Sequence, residues 1–129
     1  MERIRLHITR IQIQIHNIKE AIFMQIARGS TFDFTISLPE EYDISDAKAV
    51  WVTFAQGNQE KFTLDLNNLT LDRNKIKGHL DQNDTLSFYS GTAKMQTRIL
   101  TSADEALVQE PITDIEVLDI LKDGVISNG

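Results

Sequence analysis

The stretch TFDFTISL, residues 31–38, decides the fold class. Phe32, Phe34, Ile36 and Leu38 alternate without error with Thr31, Asp33, Thr35 and Ser37. A period of two puts all four apolar groups on one face of an extended chain, and Pro39 then ends the run. The spacing predicts a half-buried β-strand. Glu40–Ala47 follows as an acidic loop. In KAVWVTFAQ, residues 48–56, Val50, Val52 and Phe54 share one face, and Trp51 and Thr53 share the other. Apolar groups on both faces mark a strand central in its sheet. On such a strand Trp51 reads first as a core residue and second as a stacking platform.

Moving outward, Gln56-Gly57-Asn58 supplies a turn, and EKFTLDL returns with Phe62, Leu64 and Leu66 inward, giving a hairpin. A second pair runs through LTLD, a turn at Asp72-Arg73-Asn74, and KIKGHL with Ile76 and Leu80 inward. DQND, residues 81–84, begins a turn or a single helical turn capped by Asp81 or Asn83. After Gly91, Lys94, Gln96 and Arg98 oppose Met95, Thr97 and Ile99. SADEA turns the chain into LVQEPITDIEV, where Pro111 removes a ladder donor and calls for an edge or a break. LDILKDGVI closes as a short helix with Leu118, Leu121 and Val125 on one face and Gly124 as its cap. About seven short strands at turn spacings near ten residues predict an all-β fold, an antiparallel immunoglobulin-like sandwich. The domain spans residues 24–126, with a tail at 127–129.

RIRLHITRIQIQIHNI, residues 3–18, is harder to place. Ile4, Ile8, Ile11, Ile15, Ile18 and Ile22 alternate steps of four and three, a heptad seam that favours a trimer. Strand spacing gathers Ile4, Leu6 and Ile8, then Ile11, Ile13 and Ile15, with a slip at Thr9-Arg10 that a bulge would absorb. Isoleucine, threonine and histidine suit a pleated surface better than a helix, so the composition points to a strand over residues 3–15. Residues 1–23 then form a basic arm or extra strand. A basic amphipathic helix lying on a membrane surface competes with this and loses to the strand count, so no membrane partner is expected; in a third reading the domain proper begins near Met24 and the arm is an addition to it. Arg3, Ile4, Arg5, Leu6, Ile8, Arg10, Ile11, Ile13 and Ile15 are the candidate partner-binding residues of a strand added to its own sheet or a neighbour's.

The bulk numbers bound the function. The 129 residues carry a net charge of −6, and residues 1–28 alone carry +3, so the remainder carries −9. An acidic body repels phosphate backbones, so no nucleic-acid partner is expected. A basic arm on such a body could dock on an acidic partner or on a neighbouring copy. There are no cysteines, which removes disulfides, thiolate zinc sites and cysteine nucleophiles. The opening residues have no continuous apolar stretch of a signal peptide, and no run reaches the ~18–20 apolar residues of a membrane span.

No residues converge on recognisable chemistry. His7, His16 and His79 lack partners at metal-like spacing, and His7 and His79 read as exposed. Glu40, Glu41, Asp43 and Asp46 lack the ligand order of a calcium loop and read as a solvated acidic loop. Ser90-Gly91 lacks a nucleophile elbow. The expectation is a non-enzyme with no catalytic residues, no cofactor and no metal.

Three segments carry a family resemblance: MQIARGSTFDFTISLPE, then AKAVWVTFAQGNQEKFTLDLNNLTLDRNKIKGHLDQNDTLSF, then AKMQTRILTSADEALVQEPITDIEVLDILKDGVI. Over residues 24–126 the chain resembles small β-sandwich proteins from the structural-gene regions of phages and prophages of Firmicutes. Gln82, Asp84, Thr85, Leu86 and Phe88 keep the family spacing, as do Gln96, Arg98, Ile99 and Leu100. Residues 1–23 lie outside the match. In architecture the chain is also similar to the N-terminal domains of phage baseplate upper proteins. The resemblance implies a virion-associated or accessory protein and transfers no catalytic residue. The expected partners are virion components or further copies of the chain as a homo-oligomer, in the virion or the host cytoplasm. An acidic inhibitor of a host nucleic-acid-binding protein is the rival reading. A carbohydrate-binding module using Trp51 or Tyr89 is the third.

Overall fold

The computed structural model describes residues 24–110 and 112–128, together with the backbone of residues 10–13. The fold is an all-β sandwich. β1 (Arg10–Ile13), β3 (Phe32–Ser37), β6 (Thr70–Asp72) and β7 (Lys75–Leu80) form one sheet in the order β1-β3-β7-β6. β2 (Met24–Ala27), β4 (Ala49–Gln56), β5 (Gln59–Leu64), β8 (Gly91–Leu100), β9 (Ala106–Val108) and β10 (Thr113–Leu118) form the other. Its order is β2-β10-β8-β4-β5, with β9 pairing β8 beyond β10. Setting β2 aside, the orders are those of an immunoglobulin-like sandwich carrying one additional edge strand, β5. Among the described residues the strand segments number ten: about seven as expected, the expected extra N-terminal strand as β1, one more in β2, and a last strand split into β9 and β10. One pairing is not antiparallel: β2 runs parallel to β10, with Met24 opposite Ile115 and Ala27 opposite Leu118.

The period-two pattern fixes which faces meet. Phe32, Phe34, Ile36 and Leu38 of the first sheet are buried against Val50, Val52, Phe54, Met95 and Ile115 of the second. Burying each such side chain stabilises the fold by about 1.5–3 kcal/mol. Thr35 and Ser37 are buried as well while Asp33 stays exposed, so the second half of β3 is covered on both faces, more than the half-buried reading expected. It is an inner strand, flanked by β1 and β7. Four aromatic rings knit the core. Phe54 packs edge-on to Phe34 at 6.0 Å and to Phe88 at 6.2 Å, and stacks on Phe62 at 4.9 Å. Room for Phe34 comes from its cross-strand partner Gly78, because a Cβ at that position would overlap the Phe34 ring.

The turns follow their residues. Gly57 and Asn58 both have positive φ, as the two-residue type I′ hairpin between β4 and β5 requires. α1 (Gln82–Leu86) is the single helical turn, started by a reciprocal capping box. The amide of Asp84 donates to the Asp81 carboxylate at 2.8 Å, and the amide of Asp81 donates to that of Asp84 at 2.9 Å. The break expected at Pro111 falls between β9 and β10. There the buried side chain of Gln109 substitutes for the interrupted ladder: it accepts from the Thr97 amide at 2.9 Å and donates to the Thr113 hydroxyl at 2.7 Å. A buried amide left without such a partner would cost about 1–3 kcal/mol.

Three expectations are corrected. Leu66 is exposed, because β5 ends at Leu64 and the chain turns at Asp65–Asn68. Trp51 faces solvent, although β4 is an inner strand of its sheet. The C-terminal stretch forms no helix: Leu118, Leu121 and Val125 are exposed, and Gly124 carries its positive φ without capping one. Side-chain bonds hold this tail where helical hydrogen bonds do not. Gln82 accepts from the Ile126 amide at 2.7 Å and donates to its carbonyl at 3.2 Å. Arg28 donates to Asp119 at 2.9 Å and Asp123 at 2.7 Å, while its other nitrogens reach the Phe88 and Leu86 carbonyls. The Ile120 amide and Arg28 hold the Asp119 carboxyl below its ordinary range, and the two carboxylates raise Arg28.

Two outcomes follow. Gly78→Ala should destabilise by about 1–3 kcal/mol through overpacking against Phe34, read as a lower urea midpoint. An unchanged midpoint would mean that the ring has room to move. The folded Asp119 pKa is depressed, so its stabilisation is present above the unfolded value near ~3.9 and is lost as pH falls through the folded value. Acidification below that range should shift the Ile120 and Ile126 amide resonances before global unfolding, and Asp119→Asn should reproduce the Ile120 shift at neutral pH.

Candidate functional site

The sandwich spends its inner faces on packing, so candidate chemistry lies outside. The outer face of the six-stranded sheet is set by register. Trp51 lies opposite Arg98, Thr53 opposite Gln96 and Ala55 opposite Lys94 across β4 and β8. Across β4 and β5, Thr53 lies opposite Thr63, and the ladder ends with Val52 opposite Leu64, one residue before Trp51 and Asp65. Directly opposed side chains sit about 5 Å apart, so these groups form one surface.

Trp51 is 50% exposed and is the centre of that surface. The Arg98 guanidinium lies 5.4 Å from its ring centroid, within cation–π range. Among the described residues, no carboxylate forms a salt bridge with Arg98. Two hollows flank the indole. One, of about 480 Å³, is polar, with Thr53, Glu60, Thr63, Asp65 and Gln96 on its walls. The other, of about 210 Å³, is apolar, with Ala49, Leu100 and Ala106 beside the ring. Internal bonds hold the polar wall. The Thr63 hydroxyl donates to Glu60 at 2.9 Å, Thr53 and Thr63 pair at 3.0 Å, and Gln96 donates to the Gln109 carbonyl at 3.2 Å. A larger hollow of about 610 Å³ lies at the end of β3, bordered by Leu38 and Asn74. It is the gap beside a turn, where Asn74 is already bonded to the Leu38 carbonyl at 2.7 Å.

The arm is described only in part. Arg3, Ile4, Arg5, Leu6, Ile8 and Ile15 lie outside the described residues, as do His7, His16, the slip at Thr9 and residues 17–23. Arg10, Ile11 and Ile13 belong to β1, which pairs antiparallel with β3 of the same chain, Ile11 opposite Ile36 and Ile13 opposite Phe34. The backbone there is extended and forms an edge of the first sheet.

The remaining candidates are dispersed. His79 is exposed and its Nδ1 lies 2.5 Å from its cross-strand neighbour Asp33, a contact that register alone creates. Asp43 bonds the hydroxyl of Ser45 at 2.6 Å and its amide at 3.0 Å, and these bonds lower its pKa. Among the described residues no group of three His, Asp or Glu side chains is placed to hold a metal ion. Among them, too, no helix is long and apolar enough to cross a membrane. Tyr89 is exposed at the far end of β4, with Lys61 5.2 Å from its ring centroid, and Gln56 bonds its backbone in both directions. Of the residues that carry the resemblance, Thr85 bonds the Ser30 carbonyl at 2.7 Å and Phe88 fills the core. Gln96 and Arg98 instead reach the outer face beside Trp51.

Sequence reasoning placed Trp51 and Arg98 on the right strands but missed that they form one site. The signal was present: Trp51 shares its face with Thr53, and Arg98 with Lys94 and Gln96, all polar positions. Compared with known proteins, the chain matches no family model and no curated protein.

The chain has one tryptophan, so its fluorescence reports this face alone. Acrylamide should quench Trp51 in the folded protein nearly as well as in urea, and Arg98→Ala should shift its emission without lowering the melting temperature. Strong protection from quenching would place the indole in an interface or in the core.

Proposed function

We propose that this is a non-enzymatic binding protein, a virion-associated or accessory component of a phage or prophage, that acts through protein–protein contact. The resemblance of residues 24–126 supports the phage origin. The observation that carries the binding role is the arm. Residues 1–23 are basic and lie outside the resemblance, and their described part, β1, joins a sheet through backbone pairing at its edge. Strand addition of this kind is independent of most side chains. It operates equally well between copies or onto another component's sheet. In this reading Arg3, Arg5 and Arg10 meet acidic surface, which the −9 remainder of a neighbouring copy supplies.

A second reading, an acidic inhibitor of a host nucleic-acid-binding protein, draws on the same charge. Two measurements separate these possibilities. Light scattering on the full-length chain and on a chain starting at Met24 should show oligomers for the first and monomers for the second. Equal monomers of equal stability would remove the arm from assembly. Capture from lysate of the source cells should recover particle proteins in an arm-dependent way. A host nuclease or polymerase as the dominant partner would move the assignment to the inhibitor.

A further inference from the structure

We propose that the polar hollow beside Trp51 is a binding site for a neutral sugar. The site lies on the other sheet from β1 and does not depend on particle attachment. Trp51 offers a flat apolar plate, half exposed and with Arg98 over its ring, on a strand held at that position by the β8 ladder and from the next residue by the β5 ladder. A rigid plate of this kind binds a partner that is itself flat and apolar on one side.

The walls specify the rest of the ligand. The hollow that Trp51 borders is also lined by two carboxylates, Glu60 and Asp65, and one amide, Gln96; Glu60 lies opposite Ala55, farther along β4. The fold already uses part of each. Glu60 Oε2 accepts from Thr63, Asp65 Oδ1 accepts from the Asn67 amide at 2.9 Å, and Gln96 Nε2 donates to Gln109. These bonds fix the groups in place and leave a second oxygen on each carboxylate, and the Gln96 carbonyl oxygen, with capacity to accept. Arg98 supplies donors on the same surface. A ligand that fits has an apolar face and a rim of hydroxyl donors and acceptors at close spacing. A pyranose ring has both: its axial C–H bonds make one face apolar, and its equatorial hydroxyls surround it.

Charge selects among sugars. Two carboxylates line the hollow and the remainder of the chain carries −9, so an anionic glycan is repelled. Arg98 offsets only one of those charges. A protein occupant is the competing case, since Trp and Arg are common interface anchors. An occupant without basic side chains would have to bury the carboxylates with Arg98 as their one cation, and desolvating them is costly, so a protein fits only if it brings its own cations. A sugar leaves them hydrated at the rim and uses them as acceptors.

The full-length protein is titrated with soluble hexasaccharides of glucose, mannose, galactose and N-acetylglucosamine, read by Trp51 emission and by calorimetry. At least one series should saturate. Trp51→Ala should weaken its calorimetric affinity by about tenfold or more while the melting temperature holds. Trp51→Phe should retain part of the binding, Asp65→Asn and Glu60→Gln should each weaken it, and Tyr89→Ala should leave it unchanged. Saturation by none of the four, or wild-type affinity in Trp51→Ala, overturns the proposal. So does binding restricted to uronate or phosphate sugars, or a Trp51 response to a purified particle protein but to no sugar.

Discussion

Everything in this structure depends on Phe54 meeting rings from both layers at once. It packs against Phe34 of the facing sheet, Phe62 of the neighbouring strand and Phe88 of the segment after α1. That contact requires the inner positions of β3, β4 and β5 to be apolar and in register, because a slip of one residue would turn each ring outward. It also requires a void where Phe34 crosses β7, and Gly78 provides it. The hollows that flank Trp51 open on the outer face of the sandwich, away from these rings.

The fold then repairs itself where its strands are interrupted. Gln109 bridges the gap between β9 and β10 with its side chain, and Gln56 closes the end of β4 onto the backbone of Tyr89. Arg28 gathers the Leu86 carbonyl at the end of α1, the Phe88 carbonyl after it and two tail carboxylates at one guanidinium. A buried glutamine is costly unless both ends of its amide are matched, and both of these are. The planar fork of arginine suits the last case, since lysine offers a point charge and cannot reach four acceptors in fixed directions. These polar residues belong to the architecture. Of these, Gln109 is joined to the outer face, since its carbonyl accepts from Gln96 beside Trp51.

Two candidate features of this protein lie on its surface. The edge beside β3 accepts a strand from the arm, and the outer face of the six-stranded sheet presents one indole between a polar and an apolar hollow. The two use different physics. Backbone pairing at an edge is tolerant of sequence, whereas a site of the kind proposed at Trp51 would discriminate by shape and hydrogen bonding.

The layout of the strands was legible because alternation is local. Phe32 to Leu38, Val50 to Phe54 and Ile76 with Leu80 declare their faces within a few residues, and Gly57-Asn58, Asp81 and Pro111 mark the turns, the helical start and the break. The C-terminal helix misread has a local cause too: spacing at 118, 121 and 125 suits a helix, but nothing packs on those side chains, and their exposure removes the reason to form one. What the sequence could not contain was pairing. That Trp51 stands beside Arg98 and near Asp65 depends on strands 47 and 14 residues away lying on either side of it, and the same is true of His79 with Asp33 and Arg28 with Asp119. The sequence by itself determined which residues face inward, since period and hydrophobicity are carried by neighbours along the chain. The tertiary structure alone decided which outward residues share a surface, since register between distant strands is set by how the two layers fill the space between them.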